Sequence, residues 1–121
     1  MQRIVKNGSG WRLGWDANAP EFKGLVGGDD WAIELTEAEF NDFCRLLEQL
    51  AVTMTDIAGE LMEEEKITCE VESDLIWLEA KGYHYAYNLH LIVNSGRRVE
   101  GSWPASVVPN LISEIFLLKV F

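Results

Sequence analysis

One stretch, from Leu35 to Met62, does most to limit what this 121-residue chain can fold into. Thr36 followed three residues later by Glu39 has the form of a capping box, and Leu35 and Phe40 occupy the flanking positions of a hydrophobic staple. Glu37, Glu39 and Asp42 fall where the helix dipole favours acids. Apolar residues then recur with helical spacing at Phe40, Phe43, Cys44, Leu47, Leu50, Ala51, Met54, Ile57, Ala58 and Leu61. The opposite face carries Glu39, Asp42, Arg45, Glu48, Gln49, Asp56, Glu60 and Glu63. The pattern predicts a helix over 36–62, about 40 Å long. Val52, Thr53, Thr55 and Gly59 lower its intrinsic propensity, so packing must hold it.

On either side of this helix the period changes from 3.6 to 2. Before it, Arg3–Lys6, Trp11–Trp15, Phe22–Gly27 and Trp31–Leu35 read as four short strands, with Trp11, Leu13 and Trp15 on one face. After it come Ile67–Val71, Leu75–Ala80, Tyr83–Val93 and Arg97–Trp103. Lys81-Gly82 is expected to turn the chain between the second and third of these, and Asn94-Ser95-Gly96 between the third and fourth. Tyr83, Tyr85 and Tyr87 then form a ladder on one long strand, as core packing or as an aromatic groove for a partner or small ligand. A last helix follows Pro104 and is apolar nearly all round, with charges only at Glu114 and Lys119. The order is four strands and a helix, repeated, which predicts an α+β fold in a single domain spanning 1–121.

A helix that is apolar on all sides is normally covered on more than one side. A chain this short offers few places to surround it, so a homodimer is expected. Its interface is placed on Leu111, Ile112, Ile115, Phe116, Leu118 and Phe121.

Charge narrows the choice of partners. The net charge is −10, and between Asp29 and Glu79 sixteen acids face only Arg45 and Lys66. Such a surface repels nucleic acid and anionic membranes. No run of 18 apolar residues exists to cross a bilayer, and the start, polar from Gln2, lacks a signal-peptide core. A cytoplasmic location is expected, or the plastid stroma if the source is a plant or alga. Cys44 and Cys69 sit on apolar faces and read as buried free thiols.

No catalytic, cofactor-binding or metal site is expected. The chain lacks a nucleophile elbow, a phosphate loop and a dinucleotide fingerprint. His84 and His90, six residues apart along a strand, would stand roughly 20 Å from one another. Asp29-Asp30 lacks the other oxygen ligands of a calcium loop, and Glu63-Glu64-Glu65 reads as a solvated turn. A basic and aromatic sheet face could grip a single nucleic-acid strand if Arg3, Lys6, Trp11, Arg12, Lys23, Arg97 and Arg98 converged, with Trp15 beside them.

The tryptophan-rich opening Gly10-Trp11-Arg12-Leu13-Gly14-Trp15, the stretch Trp31–Phe40 and the segment Arg98–Pro104 make the chain resemble an uncharacterised family of small cyanobacterial and plastid proteins. The order of elements resembles that of the Whirly proteins, organellar binders of single-stranded DNA. That resemblance implies a Whirly-like fold and a dimer. The Lys-Gly-Lys-Ala-Ala-Leu strand motif of Whirly proteins has no match in this sequence, so no site residues carry over. The expected function is a non-enzymatic, homodimeric binding or scaffold protein with a protein partner. The alternatives are a single-stranded nucleic-acid-binding transcriptional regulator and a small-ligand pocket lined by Trp and Tyr.

Overall fold

The structure is a computed structural model that describes residues 3–60 and 65–118. The first four strands, β1 (Arg3–Gly8), β2 (Trp11–Asp16), β3 (Gly24–Gly27) and β4 (Ala32–Leu35), form an antiparallel sheet in chain order. The helix α1 (Glu37–Ile57) follows. A second antiparallel sheet, again in chain order, is built from β5 (Ile67–Glu72), β6 (Ile76–Tyr83), β7 (Ala86–Val93) and β8 (Val99–Trp103), and α2 (Val108–Leu118) closes the fold. The class is α+β, as the alternation of periods predicted.

The sheets approach each other along β4 and β8, and α1 packs against both. From the first sheet the core takes Trp11, Leu13, Trp15, Val26, Ile33 and Leu35. From the second it takes Ile76, Leu78, Ala80, Leu89, Leu91, Val93 and Trp103. α1 fills the space between with Phe40, Phe43, Leu46, Leu47, Leu50 and Met54. Each of the core strands β2, β6 and β7 thus presents every second residue to the core, which is what period-2 patterning dictates.

The start of α1 is as predicted. The Glu39 amide donates to the Thr36 hydroxyl at 3.2 Å, and the Thr36 amide donates back to the Glu39 carboxylate at 2.8 Å. The end differs. Regular helix stops at Ile57 and passes into a 3-10 turn, Ala58–Glu60, while the expected continuation through Leu61 and Met62 lies outside the described residues. Thr53 and Thr55 donate their hydroxyls to the carbonyls of Gln49 and Ala51, contacts that slightly destabilise a helix near its end.

Two further expectations are corrected. Lys81-Gly82 is not a turn. Both residues lie inside β6, and the chain reverses at His84-Tyr85, with Tyr83 paired to Ala86 and Gly82 to Tyr87. Gly82 has φ +144, a conformation that side chains disfavour, so the glycine serves as a kink within a strand. The Tyr83, Tyr85, Tyr87 ladder therefore does not exist on one strand. The three residues belong to β6, the hairpin tip and β7 in turn.

Helical spacing places Glu39 on the polar face of α1, yet it is 2% exposed. Its carboxylate accepts from the Ser95 hydroxyl and from the Arg97 guanidinium, both in the β7–β8 turn. Burial alone would raise its pKa. The bonds from Ser95, the Thr36 amide and Arg97 outweigh that and hold it below its ordinary value. One turn further along α1, Asp42 accepts from Ser73 at 2.6 Å in the β5–β6 turn. The first two turns of α1 thereby clamp both loops at one end of the second sheet.

Cys44 is pressed against the core, and burial pushes its thiol up to about 12. Thiolate is the reactive form. Alkylation of Cys44 by iodoacetamide at pH 8, followed by peptide mass spectrometry, is expected to be slow in the folded protein and to rise only as the chain unfolds. Rapid labelling under native conditions would show that the α1 face opens locally.

Candidate protein-docking groove

The helices leave an apolar cleft between them at the end of α1 remote from the capping box. One wall is the last turn and a half of α1, with Ala51, Val52, Thr55 and Asp56. The other is α2, whose Val108, Ile112 and Phe116 follow one another at the four-residue spacing of a helix ridge. Ala105 and Pro109 close one end, and Tyr85, Ala86 and Tyr87 of the β6–β7 hairpin form the floor and rim. The cleft encloses about 430 Å³.

Its walls are held in place by contacts outside it. The Ala105 amide donates to the Asn88 side chain at 3.0 Å, which fixes the approach to α2 on β7. Tyr83 stacks on Tyr85 with ring centroids 5.4 Å apart, and Lys66 lies 5.7 Å from the Tyr83 ring. The Tyr85 ring is thus braced although it is 61% exposed. Tyr87 is half-buried, and burial raises its phenol pKa.

Five large apolar side chains are exposed among the described residues: Val5, Val52, Tyr85, Phe116 and Leu117. Three of them, Val52, Tyr85 and Phe116, line this one groove. Singly exposed apolar residues are ordinary, whereas a cluster around a concave surface marks a place where something binds.

The six residues expected at a dimer interface divide accordingly. Leu111, Ile115 and Leu118 are buried in the protomer's own core. Ile112 and Phe116 line the groove. Phe121 lies outside the described residues. α2 is apolar on two sides because one side closes the core and the other faces the cleft.

The seven residues of the nucleic-acid reading are placed differently. Trp11 is core. Arg12 donates to the carbonyls of Gly28 at 3.2 Å and Trp31 at 2.9 Å, bracing the β3–β4 turn. Lys6 pairs with Glu114 of α2 at 3.4 Å. Lys23 donates to the carbonyls of Ala17 and Ala19. Arg97 holds Glu39 and the Glu34 carbonyl and lies 4.8 Å from the Phe22 ring. Arg3 and Arg98 are exposed. The structure brings Arg3, Lys23 and Phe22 together in a shallow depression of about 220 Å³ on the first sheet, where Asp16 and Glu34 intervene. Lys6 faces α2 instead.

Arg12→Ala is expected to lower stability by about 2 kcal/mol, because it removes two charge-assisted bonds to carbonyls in the β3–β4 turn. Urea denaturation measures this directly. An unchanged midpoint would mean that Arg12 stands free for another task.

Tyr85 and Tyr87, two of the three tyrosines read from the sequence as a possible aromatic groove, do line the cleft, whereas Val52 was not singled out. Val52 and Tyr85 gave no signal as a pair, because 33 positions separate them. The one available hint was Val52 itself, an apolar residue off the main stripe of α1. Among the described residues no group of three or more His, Cys, Asp or Glu could hold a metal ion, and no helix is long and apolar enough to cross a membrane.

Comparison with known proteins gives a family without an assigned activity. Residues 6–118 match the family described as a domain of unknown function, DUF1818. No curated protein matches the chain. Among solved structures, the chain is similar to a protein of unknown function from the DUF155 family of Prochlorococcus sp. NATL2A, with a TM-score of 0.90 and 31% identity. The match covers 95% of this chain and 98% of that one.

Proposed function

The chain belongs to the DUF1818 family of unknown function, and we propose that it is a non-enzymatic binding protein that docks a protein partner in the groove between α1 and α2. The observation that carries this reading is the gathering of Val52, Tyr85 and Phe116 around one cleft. Aromatic anchors braced by neighbouring rings are the kind of side chain that dominates binding at protein interfaces. Each shifted titratable group has a structural cause. Glu39 is held by a loop clamp, while Cys44 and Tyr87 are shifted by burial.

Protein is favoured over single-stranded DNA because four of the six bases in the nucleic-acid reading already hold carbonyls or carboxylates of the chain itself. A binder of phosphates needs such bases free.

A photo-reactive benzoylphenylalanine in place of Val52, in the full chain expressed in its own cells, tests the reading. The expected product is a reproducible adduct with one other protein, lost when Phe116→Glu is added. The same label at Glu72, on the exposed face of β5, is expected to give none. No adduct from the groove, or equal yields from both positions, would overturn the assignment. An adduct with a second copy would replace the partner by a homodimer.

A further inference from the structure

We infer that the occupant of the groove is a single amphipathic helix with basic flanks, contributed by another protein. The inference rests on the docking reading above and specifies its partner.

Shape argues for a helix. Both long walls are themselves helices, and the residues that line them fall in ridges. Ala51 and Thr55 are four apart on α1, and Val108, Ile112 and Phe116 are four apart on α2. A third helix can lay its own ridge between two such ridges, the usual way helices pack. The lining also includes three small side chains, Ala51, Ala86 and Ala105, which leave room for such a ridge. An extended strand would be a poorer fit, because the walls present no free sheet edge to pair with it.

Charge argues for basic flanks. Among the described residues, Asp56 is the sole charged one that lines the groove. It stands in the last turn of α1, where no base offsets the negative end of the helix dipole, and α2 likewise ends without a base in its last described turn. The whole chain adds a net charge of −10. A lysine or arginine on the flank of an incoming helix would meet attraction from all three sources. A second copy of this chain would bring a further −10, which is repulsive.

The test uses the full chain and three synthetic peptides of about 18 residues, long enough to hold a helix. One has leucines on a single helical face and lysines on the flanks. The second replaces the lysines by glutamates. The third has the composition of the first in an order that destroys the face. Binding is read by fluorescence anisotropy of labelled peptide at low and moderate salt. The lysine-flanked peptide is expected to bind about 10-fold or more tightly than the glutamate-flanked one, and to weaken about 10-fold or more on Val52→Asp. Val52 is 52% exposed, so that variant should still fold, which circular dichroism checks. Asp56→Lys is expected to narrow or reverse the preference for lysine.

Each other result decides against the inference. Equal binding of lysine and glutamate peptides, lost with Val52→Asp, would keep the groove as a docking site and remove the charge preference. Equal binding of the ordered and scrambled lysine peptides, untouched by Val52→Asp, would reduce the effect to non-specific attraction. No peptide binding together with a sedimenting dimer that Val52→Asp dissociates would make the occupant a second copy. No binding by a monomer would overturn both this inference and the docking reading.

Discussion

Replacing Glu39 by Ala is expected to lower stability by about 3 kcal/mol, a large share of what a domain of this size usually has. The carboxylate is almost wholly enclosed, and each of its oxygens is used. One takes the Thr36 amide and the Arg97 guanidinium, the other the Ser95 hydroxyl. Ala removes the reciprocal half of the capping box and unfastens the β7–β8 turn from α1 in the same step. Glu39→Gln keeps the shape and a carbonyl for the cap, so it should lose roughly half as much. The pH dependence has a definite sign. The folded pKa is depressed below 4.5, so the charge contributes fully above that value and is lost as pH falls through the folded pKa. The gap between the wild type and Glu39→Gln is therefore expected to be constant from neutral pH down to about 5 and to close below it. Urea midpoints over this range supply the measurement. A gap that widens on acidification would mean that the carboxyl is protonated in the fold and that the clamp is a neutral hydrogen bond.

How the sequence carries this fold is clearest where a local rule and the tertiary packing agree. Thr36 and Glu39 announce the start of α1 because a capping box is satisfied within four residues. Trp11, Leu13 and Trp15 announce a half-buried strand because alternation is a property of the strand alone. Gly82 misleads for the converse reason. A glycine before a polar-aromatic stretch is a reasonable turn signal, but here its left-handed φ is used inside β6, and the turn falls on His84-Tyr85 with no glycine at all. The hidden role of Glu39 has the same origin. Its spacing reads as a helix cap, and the cap is present, but Ser95 and Arg97 arrive from 56 and 58 residues away. Leu46 is missed from the apolar stripe for a related reason, since α1 touches both sheets and buries a wider arc than one stripe.

The groove was the least legible feature. Its walls come from residues 51–56, 85–87 and 105–116, and no short-range pattern links them. α2 did carry a clue, because an apolar residue at nearly every position of a helix requires two covers. The sequence alone suggests a second copy of the chain as one such cover. The structure supplies one cover from the protomer's own core, through Leu111, Ile115 and Leu118, and leaves Ile112 and Phe116 to the cleft. What remains to be covered is smaller than a whole helix face, and it is shared with Val52 and Tyr85. The proposed helix from another protein would be enough to cover it.

Trp103→Ala is expected to be the most damaging single change, at about 4 kcal/mol. Trp103 is 1% exposed and ties β8 to the first sheet by two contacts and to α1 by a third. Its indole nitrogen donates to the Gly27 carbonyl at 2.9 Å, its ring lies 4.9 Å from Trp31, and it lies 6.0 Å from Phe43 of α1. Ala would leave a cavity where β4, β8 and α1 meet and a buried carbonyl without its donor. Trp103→Phe separates the terms. It restores most of the volume and leaves the carbonyl unpaired, so the loss should fall to about 2 kcal/mol. The neighbouring Gly101 gives an independent check. A Cβ there would stand 2.4 Å from the Trp31 ring, so Gly101→Ala must displace that ring and is expected to cost about 2 kcal/mol by overpacking. Trp31 is partly buried and packs on Trp103, which blocks its movement on that side, and the cavity left by Trp103→Ala would admit it. The double variant should therefore lose less than the two single losses combined, by about 1 kcal/mol. Thermal and urea denaturation of the four variants, with near-ultraviolet circular dichroism to follow the indoles, measures this coupling. Strict additivity would show that Trp31 does not respond to Trp103, and that the two sheets are joined through α1 rather than through this pair of rings.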